Sequence, residues 1–142
     1  MIFLDANLIL RYIANVETDD QVRMQRVAGD LMLALEAGIV EVTTSEVVLH
    51  EVCFVMTSRR QYGVSVNDAI TALEPILRLP ALKFPSGDRE IYLRALEIWE
   101  RNPKLEFSDS VIAARCEING WELATFDETL GSLPNVARWQ PM

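Results

Sequence analysis

The segment Met1–Tyr12, MIFLDANLILRY, decides the fold. Ile2–Leu4 is an apolar run that predicts a buried strand, and Asn7–Ala14 follows with the spacing of an amphipathic helix. Asp5 stands between the two. Because open parallel sheets bind their ligands at the carboxyl ends of strands, Asp5 would face the usual ligand site of such a sheet. The alternative is that Asp5 only caps the helix, a role that suits Asp.

Short extended runs alternate with longer helical runs along the rest of the chain. The further strands are predicted at Val40–Thr43, Leu82–Phe84, Glu122–Thr125 and Val136–Arg138. The further helices are predicted at Asp20–Ala37, Ser45–Arg60, Val66–Leu79, Asp88–Glu100, Asp109–Asn119 and Glu128–Gly131. Strands separated by helices favour crossover connections and a mainly parallel sheet. We expect a single domain over residues 1–142, an α/β/α sandwich with helices on both faces of a central sheet.

Local signals mark several helix ends. Ser65 followed by Asp68, and Thr43 followed by Glu46, have the spacing of capping boxes. Gly38, Gly63 and Gly120 stand where helices are expected to end. A capping box accounts for Glu46, which is therefore left out of the candidate site.

Composition restricts the functional classes. The 142 residues carry 13 basic and 21 acidic side chains, a net charge of −8, which disfavours nonspecific attraction to nucleic acid. The longest stretch without a charge, Thr129–Ala137, is far shorter than the roughly 20 apolar residues of a membrane-spanning helix. The first apolar run lacks a preceding basic region, so we expect no secretory signal and a cytoplasmic protein. Cys53 and Cys116 lie in apolar helical patterns and are expected to be reduced and buried.

Three further acidic residues stand beside apolar runs. Glu51 has apolar neighbours at helical spacing, so we expect it on a buried stripe, where an ionised group needs a cation or several donors. The alternative for Glu51 is a helix edge that reaches water. Asp109 opens a helix on its core-facing side, and Asp127 follows the apolar run Leu123–Phe126. The alternatives are a capping role for Asp109 and a turn role for Asp127.

Four carboxylates at one end of a sheet need charge compensation. Two of them about 4 Å apart repel by about 4 kcal/mol at an effective dielectric near 20. Oxygen ligands without His or Cys select Mg²⁺ or Mn²⁺. A divalent ion held by carboxylates suits phosphodiester hydrolysis, because it lowers the pKa of an attacking water and neutralises phosphate charge. The ion would also bridge an acidic protein to an anionic substrate.

Three segments carry a family resemblance: FLDANLILRY (3–12), SEVVLHEVCFVM (45–56) and EFSDSVIAARCEINGWELATFDETL (106–130). In this order and spacing they resemble the PIN-domain ribonucleases, and specifically the VapC-like toxins of type II toxin–antitoxin pairs. The resemblance implies a metal-dependent endoribonuclease that uses Mg²⁺ or Mn²⁺. It implies that the metal is held by Asp5, Glu51, Asp109 and Asp127. It further implies that Asn7 orients Asp5 or a metal-bound water.

The resemblance also implies partners, and the sequence departs from it in part. Such toxins usually dimerise and are inhibited by a small antitoxin whose tail crosses the active-site groove. We therefore expect a homodimer, a small antitoxin and an RNA substrate. Many relatives carry Asp where this chain has Glu106, so Glu106 is given only a peripheral role. Thr125 matches a hydroxyl position before the last acid, either as a ligand or orienting group or as a simple strand end.

Two other functions fit part of the pattern. A phosphatase-type phosphoryl-transfer domain would use Asp5 as a nucleophile, although Asn7 stands where its second Asp would be expected. A non-catalytic module would bind only RNA or a partner protein.

Some residues outside the acidic set have two readings. The helix Asp20–Ala37 has a wide apolar side, which either packs in the core or leaves a groove for an antitoxin. Four arginines either contact phosphate or are only solvated surface charges. They are Arg11, Arg59, Arg60 and Arg115. The tryptophans expected in the core are Trp99, Trp121 and Trp139.

Overall fold

The computed structural model describes the whole chain, Met1–Met142, which divides into two compact units, Met1–Ser86 and Gly87–Met142. Each unit contains a sheet, and all strand pairs in both sheets are parallel. Every predicted strand and helix is present, with ends that differ by a few residues. The prediction of a parallel α/β architecture is therefore confirmed. No helix is both long enough and apolar enough to span a membrane.

The first unit is a three-stranded sheet joined by pairs of helices. Its elements are β1 (Ile2–Phe3), α1 (Ala6–Ile13), α2 (Asp19–Glu36), β2 (Val42–Thr43), α3 (Glu46–Thr57), α4 (Val66–Leu77) and β3 (Leu82–Lys83). The strand order is β1-β2-β3, with Ile2 opposite Val42 and Val42 opposite Leu82. Because parallel neighbours need crossovers, α1 and α2 connect β1 to β2, and α3 and α4 connect β2 to β3.

The strand β1 is shorter than predicted because a side-chain hydrogen bond replaces the ladder at its end. The backbone N–H of Leu4 still donates to the carbonyl of Thr43 at 2.8 Å. The carbonyl of Leu4, however, accepts from the Thr44 hydroxyl at 2.9 Å, in a buried position. Leu4 is buried, which is why the apolar pattern predicts it as part of the strand. Its carbonyl has left the backbone ladder.

The predicted capping box of Thr43 and Glu46 is wrong. Thr43 belongs to β2 and pairs with Phe3, so its backbone is committed to the sheet. Ser45 is the N-cap of α3 instead, and its hydroxyl accepts from the N–H of Val48 at 3.4 Å. The prediction at Ser65 is confirmed, since its hydroxyl accepts from the N–H of Asp68 at 3.0 Å at the start of α4.

The second unit packs two long helices beside a two-stranded sheet. Its elements are α5 (Asp88–Arg101), α6 (Phe107–Asn119), β4 (Glu122–Leu123), α7 (Glu128–Gly131) and β5 (Ala137–Arg138). The helix α6 begins two residues before the predicted start, with Phe107 buried and Glu106 at the N-cap. It ends at Gly120, whose φ of 68° is the left-handed conformation that glycine tolerates. Arg94 on α5 joins the two helices through paired hydrogen bonds to Glu117 at 2.8 and 3.0 Å.

Of the three tryptophans predicted to lie in the core, one is buried and two are exposed. Trp99 is buried, and its indole N–H donates to the carbonyl of Leu105 at 2.9 Å. Trp121 and Trp139 are 57% and 48% exposed, so the expectation that they lie in the core is wrong. Both flank the short strands β4 and β5, and a sheet of this size has little area to cover two indoles.

Candidate active site

Asp5 follows β1 and occupies the N-cap position of α1. Its backbone is extended, but its side chain makes no capping hydrogen bond to the helix. The capping alternative therefore does not describe what its carboxylate does. Asp5 is exposed, as is Asn7 in the first turn of α1. Both side chains are accessible at the carboxyl end of β1.

Glu51 lies in the second turn of α3 and is exposed. Val47 and Phe54, its neighbours on the same face, are 76% and 52% exposed. The buried face of α3 carries other residues, namely Val48, Leu49, Val52, Cys53 and Met56. The expectation of a buried stripe around Glu51 is thus wrong, because α3 is apolar on nearly all sides and the pattern does not identify the core face. The helix-edge alternative is the observed arrangement.

Asp5 and the start of α3, the helix that carries Glu51, lie at the same edge of the first sheet. Asp5 follows β1, and α3 begins directly after β2, its parallel neighbour. The carboxyl ends of parallel neighbours lie side by side, which is the position where such sheets bind ligands. In this unit the structure therefore supplies an accessible carboxylate at that edge, Asp5, and a second one, Glu51, in the second turn of a helix that begins there.

Asp109 is the third residue of α6, in the second unit, and is half-buried. It forms a capping box with Glu106, whose backbone N–H donates to Asp109 Oδ2 at 3.1 Å. The capping alternative is thus correct for one oxygen of Asp109. A carboxylate can accept at both oxygens, so Oδ1 is still open to a ligand. Glu106 is exposed and serves as the N-cap of α6.

Asp127 is the N-cap of the short helix α7. Its Oδ1 accepts from the N–H of Leu130 at 2.9 Å, and its own N–H donates to the Thr125 hydroxyl at 3.0 Å. The turn role proposed for Asp127 is therefore observed, and Thr125 stabilises the same turn. Asp127 is exposed, and the capping bond involves only one of its carboxylate oxygens.

The structure contains no group of three or more His, Cys, Asp or Glu side chains that could hold a metal ion. It places Asp5 and Glu51 in the first unit and Asp109 and Asp127 in the second. The donors nevertheless have the right chemistry for Mg²⁺ or Mn²⁺, since all are carboxylate oxygens. The cysteines offer no competing ligands. Both thiols are free and buried as predicted, and burial raises the pKa of Cys53 and of Cys116.

A groove opens between α1 and α2, beside Asn7. It has a volume of about 320 Å³ and is lined by Asn7, Leu8, Arg11, Arg23, Met24, Val27 and Ala28. The apolar side of α2 therefore divides: Ala28 is buried in the core, whereas Met24 and Val27 are partly exposed in the groove. Part of this helix face therefore packs in the core, and part lines a groove.

The predicted phosphate-contacting arginines are partly engaged within the protein. Arg11 donates to the Tyr62 hydroxyl at 3.0 Å, and Arg115 donates to Asp88 at 3.4 Å. Arg59 and Arg60 are exposed. Sequence reasoning missed Arg138, which donates to Glu128 and to the carbonyl of Thr125 on either side of Asp127. No local pattern links these residues, because Arg138 lies ten and thirteen positions along the chain from them.

Parallel strands joined by helices, with accessible acidic side chains after the strands, define an α/β protein suited to bind a ligand at the carboxyl ends of its strands. The sequence matches the PIN domain family over residues 2–136, a range that includes all four acids. The chain belongs to the PIN domain family, whose members are typically metal-dependent nucleases. No curated protein matches the chain.

Proposed function

We propose that the protein is a metal-dependent endoribonuclease and the toxin of a toxin–antitoxin pair. The observation that carries the proposal is the family match over residues 2–136. Asp5, Glu51, Asp109 and Asp127 are all accessible or half-buried and each retains carboxylate oxygens for a ligand. None of the four is withdrawn into an ion pair that would neutralise it.

In this proposal the four carboxylates hold Mg²⁺ or Mn²⁺, and Asn7 orients Asp5 or a bound water. When bound, the ion lowers the pKa of an attacking water and neutralises charge on the scissile phosphate. Asp5 contributes a carboxylate that makes no capping hydrogen bond, and Glu51 contributes an exposed carboxylate from α3. Asp109 and Asp127 each keep one oxygen in a helix cap, which fixes the direction of the other.

The antitoxin is proposed from the groove between α1 and α2. Its lining is mostly apolar, and the side chains of Met24 and Val27 are exposed there. Covering such apolar side chains with a partner is favourable. A helix or strand of a small antitoxin would bury these residues. Since Asn7 lines the same groove, a segment bound there would also reach the first-unit acids. We propose that the toxin acts as a homodimer on cytoplasmic RNA.

The experiment that tests this function compares substrates under matched conditions. Purified protein is incubated with a labelled RNA and with a phosphate monoester, each with Mn²⁺, with Mg²⁺ or with EDTA. The proposal predicts internal cleavage of the RNA with either metal and none in EDTA. Hydrolysis of the monoester alone would favour the phosphatase alternative. RNA binding without cleavage under any condition would favour the non-catalytic module.

The antitoxin part of the proposal has its own test. A small reading frame beside this gene should encode a DNA-binding fold with an amphipathic, basic tail. Its product should copurify with the protein and suppress RNA cleavage. Substituting Val27→Asp in the groove should abolish copurification and leave cleavage unchanged. Copurification that is indifferent to Val27→Asp would place the partner elsewhere.

A further inference from the structure

The helix α7, which Asp127 caps, is too short to hold itself in place. It spans Glu128–Gly131, and a helix of one turn is unstable in water because the cost of nucleation is not repaid. The buried side chain of Leu130 fixes one point of this turn. The direction of the Asp127 carboxylate must therefore depend on further contacts from the rest of the unit.

Arg138 supplies these contacts from β5. Its Nη1 donates to Glu128 Oε2 at 3.0 Å and its Nη2 to Glu128 Oε1 at 3.1 Å, a bidentate pair. Nη2 also donates to the carbonyl of Thr125 at 3.0 Å. Thr125 precedes Asp127 by two residues and Glu128 follows it by one, so a single guanidinium holds the chain on both sides of Asp127.

The base of Arg138 is itself rigid. Arg138 pairs with Leu123 in the parallel ladder of β4 and β5, and β4 leads directly to Thr125. Only 26% of the Arg138 side chain is exposed, although its partner Glu128 is 82% exposed. A bidentate Arg–carboxylate pair fixes orientation as well as distance.

The glycine at the end of α7 makes room for this side chain. A Cβ on Gly131 would lie 3.0 Å from Nε of Arg138 and 3.1 Å from its Cδ and Cζ. The φ of Gly131 is not positive, so the backbone there does not require glycine. An added Cβ would therefore be tight, and the Arg138 side chain would have to shift by a few tenths of an ångström.

We propose that Arg138 is a positioning residue, which orients the Asp127 carboxylate toward the metal by clamping Thr125 and Glu128 on either side. Arg138 does not touch the metal or the RNA in this proposal. The inference rests on the proposed function, since it takes Asp127 as a metal ligand. Partners of metal ligands typically change metal affinity or activity by about 10- to 100-fold when they are substituted.

The test measures Mn²⁺ affinity of the full chain from the EPR signal of free Mn²⁺. Arg138→Lys keeps the positive charge but removes the planar guanidinium that forms the bidentate pair. Glu128→Gln removes the carboxylate that this guanidinium binds. Both should weaken Mn²⁺ affinity by about tenfold or more. At saturating Mn²⁺ the kcat of Arg138→Lys should approach that of the wild type, because Asp127 is still present. Asp127→Asn should not recover in this way.

Arg94→Lys is the matched control. Arg94 also forms a bidentate pair, with Glu117, and its side chain is 23% exposed, close to the value for Arg138. It joins α5 to α6 in the same unit without a contact to the Asp127 turn, so its substitution should leave Mn²⁺ affinity unchanged. If Arg138→Lys binds Mn²⁺ as the wild type does, whatever its Tm, Arg138 is only a stabilising residue and the inference is overturned.

Gly131→Ala keeps the inference testable if Arg138→Lys fails to fold. Ala is the better helix former, so the fold should be retained, while the added Cβ should shift the Arg138 side chain by a few tenths of an ångström, weaken its hydrogen bonds and lower Mn²⁺ affinity. Unchanged affinity in folded Gly131→Ala and Glu128→Gln proteins would contradict the inference. A wild-type protein that binds no Mn²⁺ would overturn the proposed function and this inference together. Wild-type binding with intact binding by the Arg138 and Gly131 variants would overturn this inference alone.

Discussion

Asp5 and Asp127 occupy the same backbone position, the N-cap of a helix, yet only Asp127 uses its carboxylate there. The sequence does not separate the two, because each follows an apolar run and precedes a helix. What differs is one short-range hydrogen bond: the Asp127 carboxylate accepts from the N–H of Leu130, whereas the Asp5 carboxylate makes no capping bond. Arg138 was missed for another reason, because its partners lie ten and thirteen positions away in the sequence. The identities of the acidic residues were predictable, whereas their hydrogen bonds were not.

Glu46 and Glu51 provide a matched pair of substitutions on α3. Glu46 is the first residue of the helix and is half-buried, so Glu46→Gln removes a favourable charge near the N-terminus worth about 0.3–1 kcal/mol. RNA cleavage by this variant should remain nearly intact. Glu51→Gln should abolish cleavage and weaken Mn²⁺ affinity, with no loss of stability, because Glu51 is exposed. Cleavage rates and thermal unfolding of both proteins check this, and loss of activity in Glu46→Gln alone would require the site to be redrawn.

The helices and strands show which level of structure the sequence specifies well. Each element was predicted with the correct type, because the spacing of apolar residues along the chain differs between a helix and a strand. The ends were predicted less well, because they depend on which backbone groups pair. Thr43 has the spacing of a cap but is held in β2, so α3 starts after Ser45. For α3 the periodicity also failed to identify the buried face, because apolar residues surround the helix.

Asp127 allows the capping role and the proposed metal role to be separated within one element. Asn caps helices about as well as Asp, so Asp127→Asn should leave the free energy of unfolding within about 0.5 kcal/mol of the wild type. Asp127→Ala should cost about 0.5–2 kcal/mol through loss of the bond to the Leu130 N–H. Both variants should lose Mn²⁺ affinity. Urea denaturation and Mn²⁺ titration measure the two effects, and full Mn²⁺ affinity in Asp127→Asn would leave Asp127 with a structural role only.

For the molecule as a whole, the family match and the net charge both indicate that a positive charge is needed where the substrate binds. The chain carries a net charge of −8 and belongs to a family of typically metal-dependent nucleases, so a polyanionic substrate must be met by a cation or a local basic region. Apolar side chains are also exposed in both units, among them Phe54 and Trp121.

Divalent metal should stabilise the folded protein. A ligand that binds only the native state stabilises it by about 2.7 kcal/mol at a hundredfold excess over its Kd. Thermal unfolding should therefore shift to higher temperature with Mn²⁺ or Mg²⁺, and the shift should be smaller in Glu51→Gln. A Tm that does not respond to either ion would argue against a specific site.

The protein should be a homodimer that does not depend on disulfides. Light scattering at micromolar concentration should give about twice the chain mass of 16.1 kDa. Because Cys53 and Cys116 are free and buried, a reducing agent should leave this mass unchanged. A monomeric mass would reject the dimer, and a mass that falls on reduction would contradict the burial of the thiols.

The most direct test of the central claim is the rate of RNA cleavage by Asp5→Asn with saturating Mn²⁺, measured beside the wild type. Asp5 is the cleanest position, since its carboxylate caps no helix and the substitution removes a charge at nearly constant volume. We expect Asp5→Asn to unfold at the wild-type temperature and to lose cleavage, as the wild type does in EDTA. Cleavage by Asp5→Asn at the wild-type rate, or undiminished wild-type cleavage in EDTA, would contradict the proposed metal-dependent site.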